Sequence, residues 1–370
     1  MKLAKRVRCY SCQSNLVRGT DSMRMWLTAL AATTIGATVL VPAAQAQDMT
    51  TATFNGTTIW VGGGVQFLSL PDIRFTEQNG RRQRNSESDW LDFGGAAGAG
   101  VETALGIWGS SRVTGSVKGF FANVETDDRK RCNGNCTVFN PATGQALSSS
   151  SLSTKTDRET DYWGSQVELK FGRLEPVHTK PKIYRNDYFI IGADVRGIDQ
   201  DNHLGSSVGT PFTYKEALDT TYVGGYIGIG GEYSFGFIPF VGSAVKGVGG
   251  IYDRLGLRTF INMRAGLYDA ETDYDGRFAT TGVNSRLSQS NDELAFIGTI
   301  SLETRKQIGM RTSLSLWTDY EYISSVPKMR YANDDGRPTH IDDEGVFASR
   351  TMLRLNIGLG PSQLYEEPVK

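Results

Sequence analysis

The chain lacks the long apolar runs that would cross a membrane as helices. After its N-terminal region, no stretch reaches the about eighteen consecutive apolar residues that such a helix needs, so the sequence excludes a helical membrane protein. An excess of one charge is also missing, because 39 Lys and Arg residues balance 40 Asp and Glu residues. A nucleic-acid-binding surface would need an excess of cations, so no nucleic-acid partner is predicted.

Cysteine and histidine are scarce, with four and three residues respectively. Cys9 and Cys12 form a C-x-x-C pair near the N-terminus, but no second pair of ligands accompanies them. Neither a metal nor another cofactor is therefore predicted. Cys132 and Cys136 lie in a Cys-Asn-Gly-Asn-Cys run, and in an exported protein they predict a disulfide that closes a loop.

The N-terminal region has the pattern of a secretory signal peptide. Residues 26–41 are apolar, and a small-residue cleavage motif that ends at Ala46 follows them. We therefore predict a signal peptide over residues 23–46, cleavage after Ala46, and export of the mature chain. Residues 1–22 are polar and basic, and we interpret them as an upstream artefact or a leader extension.

Most of the mature chain alternates between apolar and polar residues with the period of two that β-strands have. In the clearest example, residues 293–323, one face carries Leu, Ile, Phe and Tyr while the other is mostly small or charged. Ten such segments can be counted, and each is about as long as a tilted strand that crosses a bilayer. They predict an all-β protein, a closed antiparallel transmembrane β-barrel over residues 47–360, with a periplasmic tail over residues 361–370.

The links between these segments alternate in length. The odd-numbered links are long and polar, whereas two of the even-numbered links are short. This pattern is expected for a barrel with long outer loops, short periplasmic turns and both termini in the periplasm. The link over residues 234–254 is apolar enough to contain another hairpin or an interfacial helix, so twelve strands are the alternative to ten.

These features resemble those of the Gram-negative outer-membrane β-barrel proteins, in the broad porin-like group. The resemblance rests on the leader, the alternating segments, the unequal links and the closing segment over residues 351–359. It implies a location in the cell outer membrane, contact with outer-membrane lipid and lipopolysaccharide, and insertion by the barrel-assembly machinery. The chain departs from the class at its end, because it continues to Lys370 instead of ending on an aromatic residue.

The polar faces of the segments predict a charged lumen. An unpaired charge in a narrow lumen is costly, so these cations and carboxylates are expected to pair. The predicted lumen charges are Glu102, Lys118, Glu168, Lys170, Asp194, Arg196, Glu232, Arg258, Arg264, Glu303, Asp319, Glu321, Arg350 and Arg354. No catalytic, cofactor-binding or metal-binding residue is predicted.

Two functions suit such a barrel. The leading prediction is porin-like passive permeation of small solutes or ions through a narrow charged lumen. The alternative is a sealed structural or adhesion barrel that acts through its extracellular loops. A third hypothesis, a hydrolase at the outer rim, would need His203 or His340, but neither has the spacing of a metal or protease motif, so no enzyme is predicted.

Overall fold

The computed structural model describes a set of ranges within the unit Ala46–Lys370. These ranges are residues 56–85, 92–175, 177–180, 183–233, 257–331 and 339–359. The predicted signal peptide, the segment that precedes it, the link over residues 234–254 and the C-terminal tail lie outside the described residues. Among the described residues, no helix is long and apolar enough to cross a membrane.

All the regular elements within the described ranges are β-strands, in keeping with the period-two alternation. The strands are β1 (Thr57–Leu68), β2 (Thr76–Gln78), β3 (Arg81–Gln83), β4 (Phe93–Trp108), β5 (Ser111–Phe139), β6 (Ala146–Arg173), β7 (Val177–Lys180), β8 (Ile183–Ser206), β9 (Phe212–Tyr233), β10 (Leu257–Thr280), β11 (Val283–Gln307), β12 (Thr312–Arg330) and β13 (His340–Leu359).

Ten of these strands form a closed antiparallel ring. Its order is β1, β4, β5, β6, β8, β9, β10, β11, β12 and β13, and β13 returns to pair with β1. Closure satisfies backbone groups that an open sheet would leave unpaired at its edges. The short strands are not members of the ring: the β2–β3 hairpin pairs with β5, and β7 pairs with β8.

The faces of the ring have inverted polarity near the end that holds Thr57 and Leu359, which we call the short-turn end. There the apolar rows face outward, and Ile229 on β9 is 64% exposed. The charged rows face inward, and Arg354 on β13 is only 6% exposed. A sheet in water does the opposite, because charged side chains are seldom buried without partners.

The opposite end, which we call the extended end, differs from the prediction. The sequence predicted long polar loops there, over residues 125–161, 199–220, 269–292 and 324–348. Strands instead continue through most of each range, so that β10 and β11 are joined by a turn at residues 281–282. The loop prediction was wrong because the outward rows of these segments are charged. Those charges make the sequence of each segment look polar, although its inward row carries Tyr, Phe and Leu.

The ring changes in two places toward the extended end. Pairing between β11 and β12 stops at Ile297↔Ile323, although both strands continue beyond those residues. β1 ends at Leu68, and residues 69–85 then turn back into the ring, where Leu70 and Phe75 are buried. We call residues 69–85 the inner loop.

Candidate functional site

The structure brings ten of the predicted lumen charges into one connected network of ion pairs inside the ring. Its members are Glu102, Lys118, Glu168, Lys170, Asp194, Arg196, Arg264, Asp319, Glu321 and Arg350. Glu232 pairs separately with Arg258 at 3.3 Å. Glu303 pairs with Arg305 at 2.9 Å, a partner that the sequence did not single out.

Glu168 on β6 is the branch point of this network. One carboxylate oxygen lies 3.6 Å from Lys118 Nζ and 3.5 Å from Arg264 Nη1. The other lies 3.7 Å from Lys170 Nζ, and Lys170 in turn contacts Glu102 at 2.5 Å. Three cations thus share one buried carboxylate. The cost of burying these charges is offset by a network of contacts instead of by separate ion pairs.

The network also crosses the lumen. Arg196 on β8 contacts Glu321 on β12, and these strands are not neighbours in the ring. Arg196 also lies 2.7 Å from Asp194. Arg350 on β13 approaches Glu321 and Asp319, each at 3.3 Å. Because the contact between Arg196 and Glu321 joins opposite walls, these side chains occupy the space between the walls.

Aromatic rings complete the packing around two of the arginines. The guanidinium carbon of Arg350 lies 3.4 Å from the ring centroid of Phe120. That of Arg354 lies between two indoles, 4.0 Å from Trp60 and 3.6 Å from Trp317. Such cation–π contacts gain strength when water is excluded, so they hold the arginine planes in place.

The interior becomes apolar toward the extended end. Tyrosines, aliphatic residues and the start of the inner loop form a buried cluster next to the ion-pair network. Its members include Leu68, Leu70, Val124, Tyr162, Ile198, Tyr222, Tyr268 and Ile323. A second buried cluster lies among residues of the extended end and includes Phe75, Phe212, Tyr214, Leu218, Tyr274, Phe278 and Tyr331.

Phe75 of the inner loop anchors the second cluster and is fully buried. Its ring stacks on Tyr214, with centroids 4.7 Å apart and planes within 6° of parallel. It meets Tyr331 edge-on at 5.1 Å. Offset and edge-on ring pairs of this kind add to the free energy gained by burial alone, so Phe75 holds the inner loop inside the ring.

Polar contacts fix the backbone of the inner loop. The Asn85 side chain accepts hydrogen bonds from the amides of Phe75 and Thr76, at 2.7 Å and 2.9 Å. From the wall, Arg158 on β6 donates to the carbonyl of Pro71 at 2.8 Å. These bonds satisfy backbone groups that would otherwise be costly to bury.

Glu216 is the acidic centre of the extended end. Its carboxylate accepts hydrogen bonds from Tyr214 at 2.6 Å, Tyr331 at 2.9 Å and Asn202 at 3.1 Å. Burial raises the pKa of Glu216 above its usual value, while the hydrogen bonds from Tyr214 and Tyr331 oppose that shift. The contacts join three walls of the ring, so the arrangement is suited to holding the interior closed.

A disulfide joins Cys132 and Cys136 at a bulge in β5. The β2–β3 hairpin of the inner loop pairs with β5 at this corner, where Gln78 lies opposite Cys136. Gln78 Nε2 also donates to the carbonyl of Asn133 at 2.7 Å. The residues closed by the disulfide are therefore the ones that hold the hairpin.

Phe75, Arg158 and Glu216 are not among the residues that the sequence predicted. For Glu216, the available signal was its place in the row Phe212, Tyr214, Glu216 and Leu218, where every second residue is large and all but Glu216 are aromatic or aliphatic. The two histidines that a rim hydrolase would need lie on different strands, His203 on β8 and His340 at the start of β13. Among the described residues, no group of three or more His, Cys, Asp or Glu residues could hold a metal ion.

No protein-family model matches the chain, and no curated protein matches it in sequence. Among solved structures, it is similar to the outer membrane protease OmpT from Escherichia coli, with 8% identity, a TM-score of 0.34, and coverage of 84% of this chain and 99% of that chain. It is also similar to a Pseudomonas aeruginosa FadL homologue, with 6% identity, a TM-score of 0.22, and coverage of 82% and 90%. The transport unit of the autotransporter AIDA-I from Escherichia coli has 7% identity, a TM-score of 0.22, and coverage of 88% and 97%.

The resemblance to outer-membrane β-barrel proteins holds at the level of that broad class. Within the described ranges the strands are antiparallel and ten of them form a closed ring, in keeping with the β-barrel that the sequence predicts. Those outer-membrane β-barrel proteins have several functions, and likeness at these scores carries none of them to this chain.

Proposed function

We propose that this protein is an integral outer-membrane β-barrel with a closed interior, which acts through the surface of its extended end. One observation carries the membrane assignment: apolar rows face outward and arginines face inward around the short-turn end. On β10, Leu267 is 59% exposed on the outward face, while Arg264 on the inward face of the same strand is 7% exposed. Such a surface is stable against lipid hydrocarbon, and in water it would be an aggregation hazard.

The closed interior is supported by two layers of packing. The ion-pair network spans the ring near the short-turn end, and the inner loop fills it near the extended end. A barrel of about eight strands is just wide enough for its own side chains, and one of sixteen leaves a channel. A ring of ten strands is close to the smaller of these two sizes. Its long charged and aromatic side chains are therefore expected to fill the interior.

The extended end would then stand outside the membrane. Its outward rows carry charges that suit water, such as Asp273 and Arg277 on β10 and Lys215 on β9, all of them exposed. Apolar side chains fill its interior, as in a soluble β-structure. A rigid, charged surface of this kind suits adhesion, a receptor role or an envelope-structural role. Export by the signal peptide, contact with lipopolysaccharide and insertion by the barrel-assembly machinery are parts of the same proposal.

Flotation and planar-bilayer conductance test the proposal together. The full-length purified protein should float with liposomes after alkaline washing and should give no steady conductance when folded in a bilayer. Failure to float would contradict the membrane assignment. A steady single-channel conductance from folded protein would contradict the closed interior.

Passive permeation remains the second candidate, since some of the interior is accessible from the short-turn end. The side chain of Arg258 is 30% exposed and that of Lys118 is 20% exposed, although both lie inside the ring. A path for ions would require the inner loop to leave the ring. If it does, reversing the charge at Arg258 should change ion selectivity, whereas a closed barrel would be indifferent to that change. We propose no enzymatic activity.

A further inference from the structure

The outer face of the ring has an open cavity of about 530 Å³ at the short-turn end. It lies across β6, β8, β9 and β10. Its apolar lining is formed by Phe171, Phe189, Ile229, Ile261 and Met263. The same cavity has a polar side, which includes Arg173, Asp187, Tyr233 and two serines of the turn between β4 and β5.

Strand register explains the apolar side. Phe171 lies opposite Phe189, Phe189 opposite Ile229, and Ile229 opposite Met263, so four large side chains form one continuous row across four strands. Residues directly opposite in a sheet project from the same face. The row therefore forms an apolar strip that runs across the strands.

A glycine lies beside that row, under the ring of Tyr233. Gly231 lies opposite Ile261 in the next row toward the short-turn end. A Cβ atom at Gly231 would come within 2.5 Å of the Tyr233 hydroxyl, so the tyrosine ring lies directly over this position. Any larger residue would displace the ring, and the absence of a side chain is what lets Tyr233 fold down beside the apolar strip.

The polar side carries both signs of charge. Tyr233 donates a hydrogen bond to Asp187 at 3.2 Å, and Arg185 lies 3.3 Å from the same carboxylate. Arg173 is exposed and forms no ion pair within the described residues. The cavity thus joins an apolar floor to an exposed cation, Arg173, and to the Asp187 carboxylate, whose side chain stays 37% exposed beside Arg185. This arrangement is complementary to an amphiphile with a zwitterionic headgroup.

We propose that this cavity binds one phospholipid of the periplasmic leaflet, with a phosphoethanolamine headgroup. The inference rests on the proposed membrane assignment, which puts the cavity where the apolar band of the ring meets the headgroups. An acyl chain would lie along the row of Phe171, Phe189, Ile229 and Met263. The lipid phosphate would pair with Arg173, and its ammonium group would approach Asp187. Arginine suits phosphate because its guanidinium can donate two parallel hydrogen bonds.

Native mass spectrometry of the full-length protein in detergent tests the site, with phosphatidylethanolamine and phosphatidylglycerol added separately. The wild-type protein should retain one phosphatidylethanolamine in preference to phosphatidylglycerol. Arg173→Gln should weaken that retention about tenfold, because a hydrogen bond to a charged group contributes at least that factor. Arg311→Gln is the matched control, since Arg311 is also exposed at the short-turn end but does not line the cavity, and it should bind as the wild type does.

A second variant tests the apolar side. Gly231→Leu should displace Tyr233 into the cavity and reduce retention, while flotation with liposomes should be unchanged. Equal retention of both lipids, or equal retention by wild type, Arg173→Gln and Gly231→Leu, would overturn the site and leave the membrane assignment intact. Failure of the wild type to float would instead overturn the membrane assignment.

Discussion

The two halves of a single strand, β10, have opposite polarity. Near the short-turn end, Met263 and Leu267 face outward and Arg264 is buried. Near the extended end, Tyr274 and Phe278 are buried and the charged residues between them face outward. Both halves alternate with a period of two and share the same extended backbone. What changes is the face that carries the apolar residues, which is the outward face in one half and the inward face in the other.

With the short-turn half in the membrane, as proposed, this reversal lets one alternating strand suit two solvents. Where the outer face meets hydrocarbon, the charges must go inside and must pair, because lone buried ions are costly. Where the outer face meets water, the apolar residues go inside and need only pack. The change falls near Tyr268 and Ala270, the buried residues between the two halves of β10.

The two interiors should respond differently to mutation. An ion-pair network fails when one member is removed, because its former partners stay buried and charged. An apolar cluster responds differently when one of its side chains is truncated. The fold then loses the free energy gained by burying that side chain, and the cavity left behind adds a further cost. Three variants test whether the two halves of the ring differ in this way.

The largest effect is expected for Arg350→Ala in the network of the short-turn half. The change would leave Asp319 and Glu321 without one of their cations, and we expect the free energy of unfolding in lipid vesicles to fall by about 4 kcal/mol. Urea titration followed by tryptophan fluorescence measures it. Arg311→Ala removes an exposed arginine and should cost less than about 0.5 kcal/mol. Equal losses for both variants would show that the network does not stabilise the ring.

Phe75→Ala should have the next largest effect, confined to the extended half. Removing a fully buried ring should cost about 3 kcal/mol and loosen the inner loop. Hydrogen exchange should then rise over residues 69–85 while the network strands stay protected. Phe93→Ala, at a position 66% exposed on the outer face, is the control and should leave the inner loop protected. Uniform exchange across both halves would contradict their independence.

The smallest effect is expected where the pairing between β11 and β12 has stopped, and it is a dependence of local stability on pH. Ser325 Oγ lies 2.7 Å from Asp343 and 3.2 Å from Glu293. Burial, followed by the hydrogen bond with Glu293, raises the pKa of Asp343 to about 6, and Asp342 adds repulsion. In the unfolded chain this carboxyl has a pKa of about 4, so the native state binds the proton more tightly.

Stability at this contact should therefore be complete below about pH 4 and should be lost as the pH rises through about 6. Hydrogen exchange over residues 324–330 should increase across that window. Asp343→Asn removes the titrating group and should flatten the profile, whereas Asp342→Asn should retain it. A profile that is unchanged in Asp343→Asn would assign the pH dependence to another group.

The sequence predicted one half of the molecule far better than the other. It assigned the outward rows of β9 and β10 and the inward positions of Arg264 and Arg350, because apolar and charged residues alternate there without interruption. It missed the extended half because charged outward rows next to aromatic inward rows look like polar loops. The inner loop left no periodic signal, since Phe75 is a single aromatic residue in a polar link.

Alternation, a property of each short segment, was sufficient to predict the strands near the short-turn end, the polarity of their faces and the resemblance to outer-membrane barrels. Only the tertiary structure decided that the ring closes, that Arg196 meets Glu321 across it, and that the inner loop fills it. The physical reason is separation along the chain: a strand's own pattern states which face avoids water, but partners in a packed interior come from segments distant in sequence. An alternating pattern by itself suits either water or lipid hydrocarbon outside the ring. Only the folded ring shows which face of each half points outward.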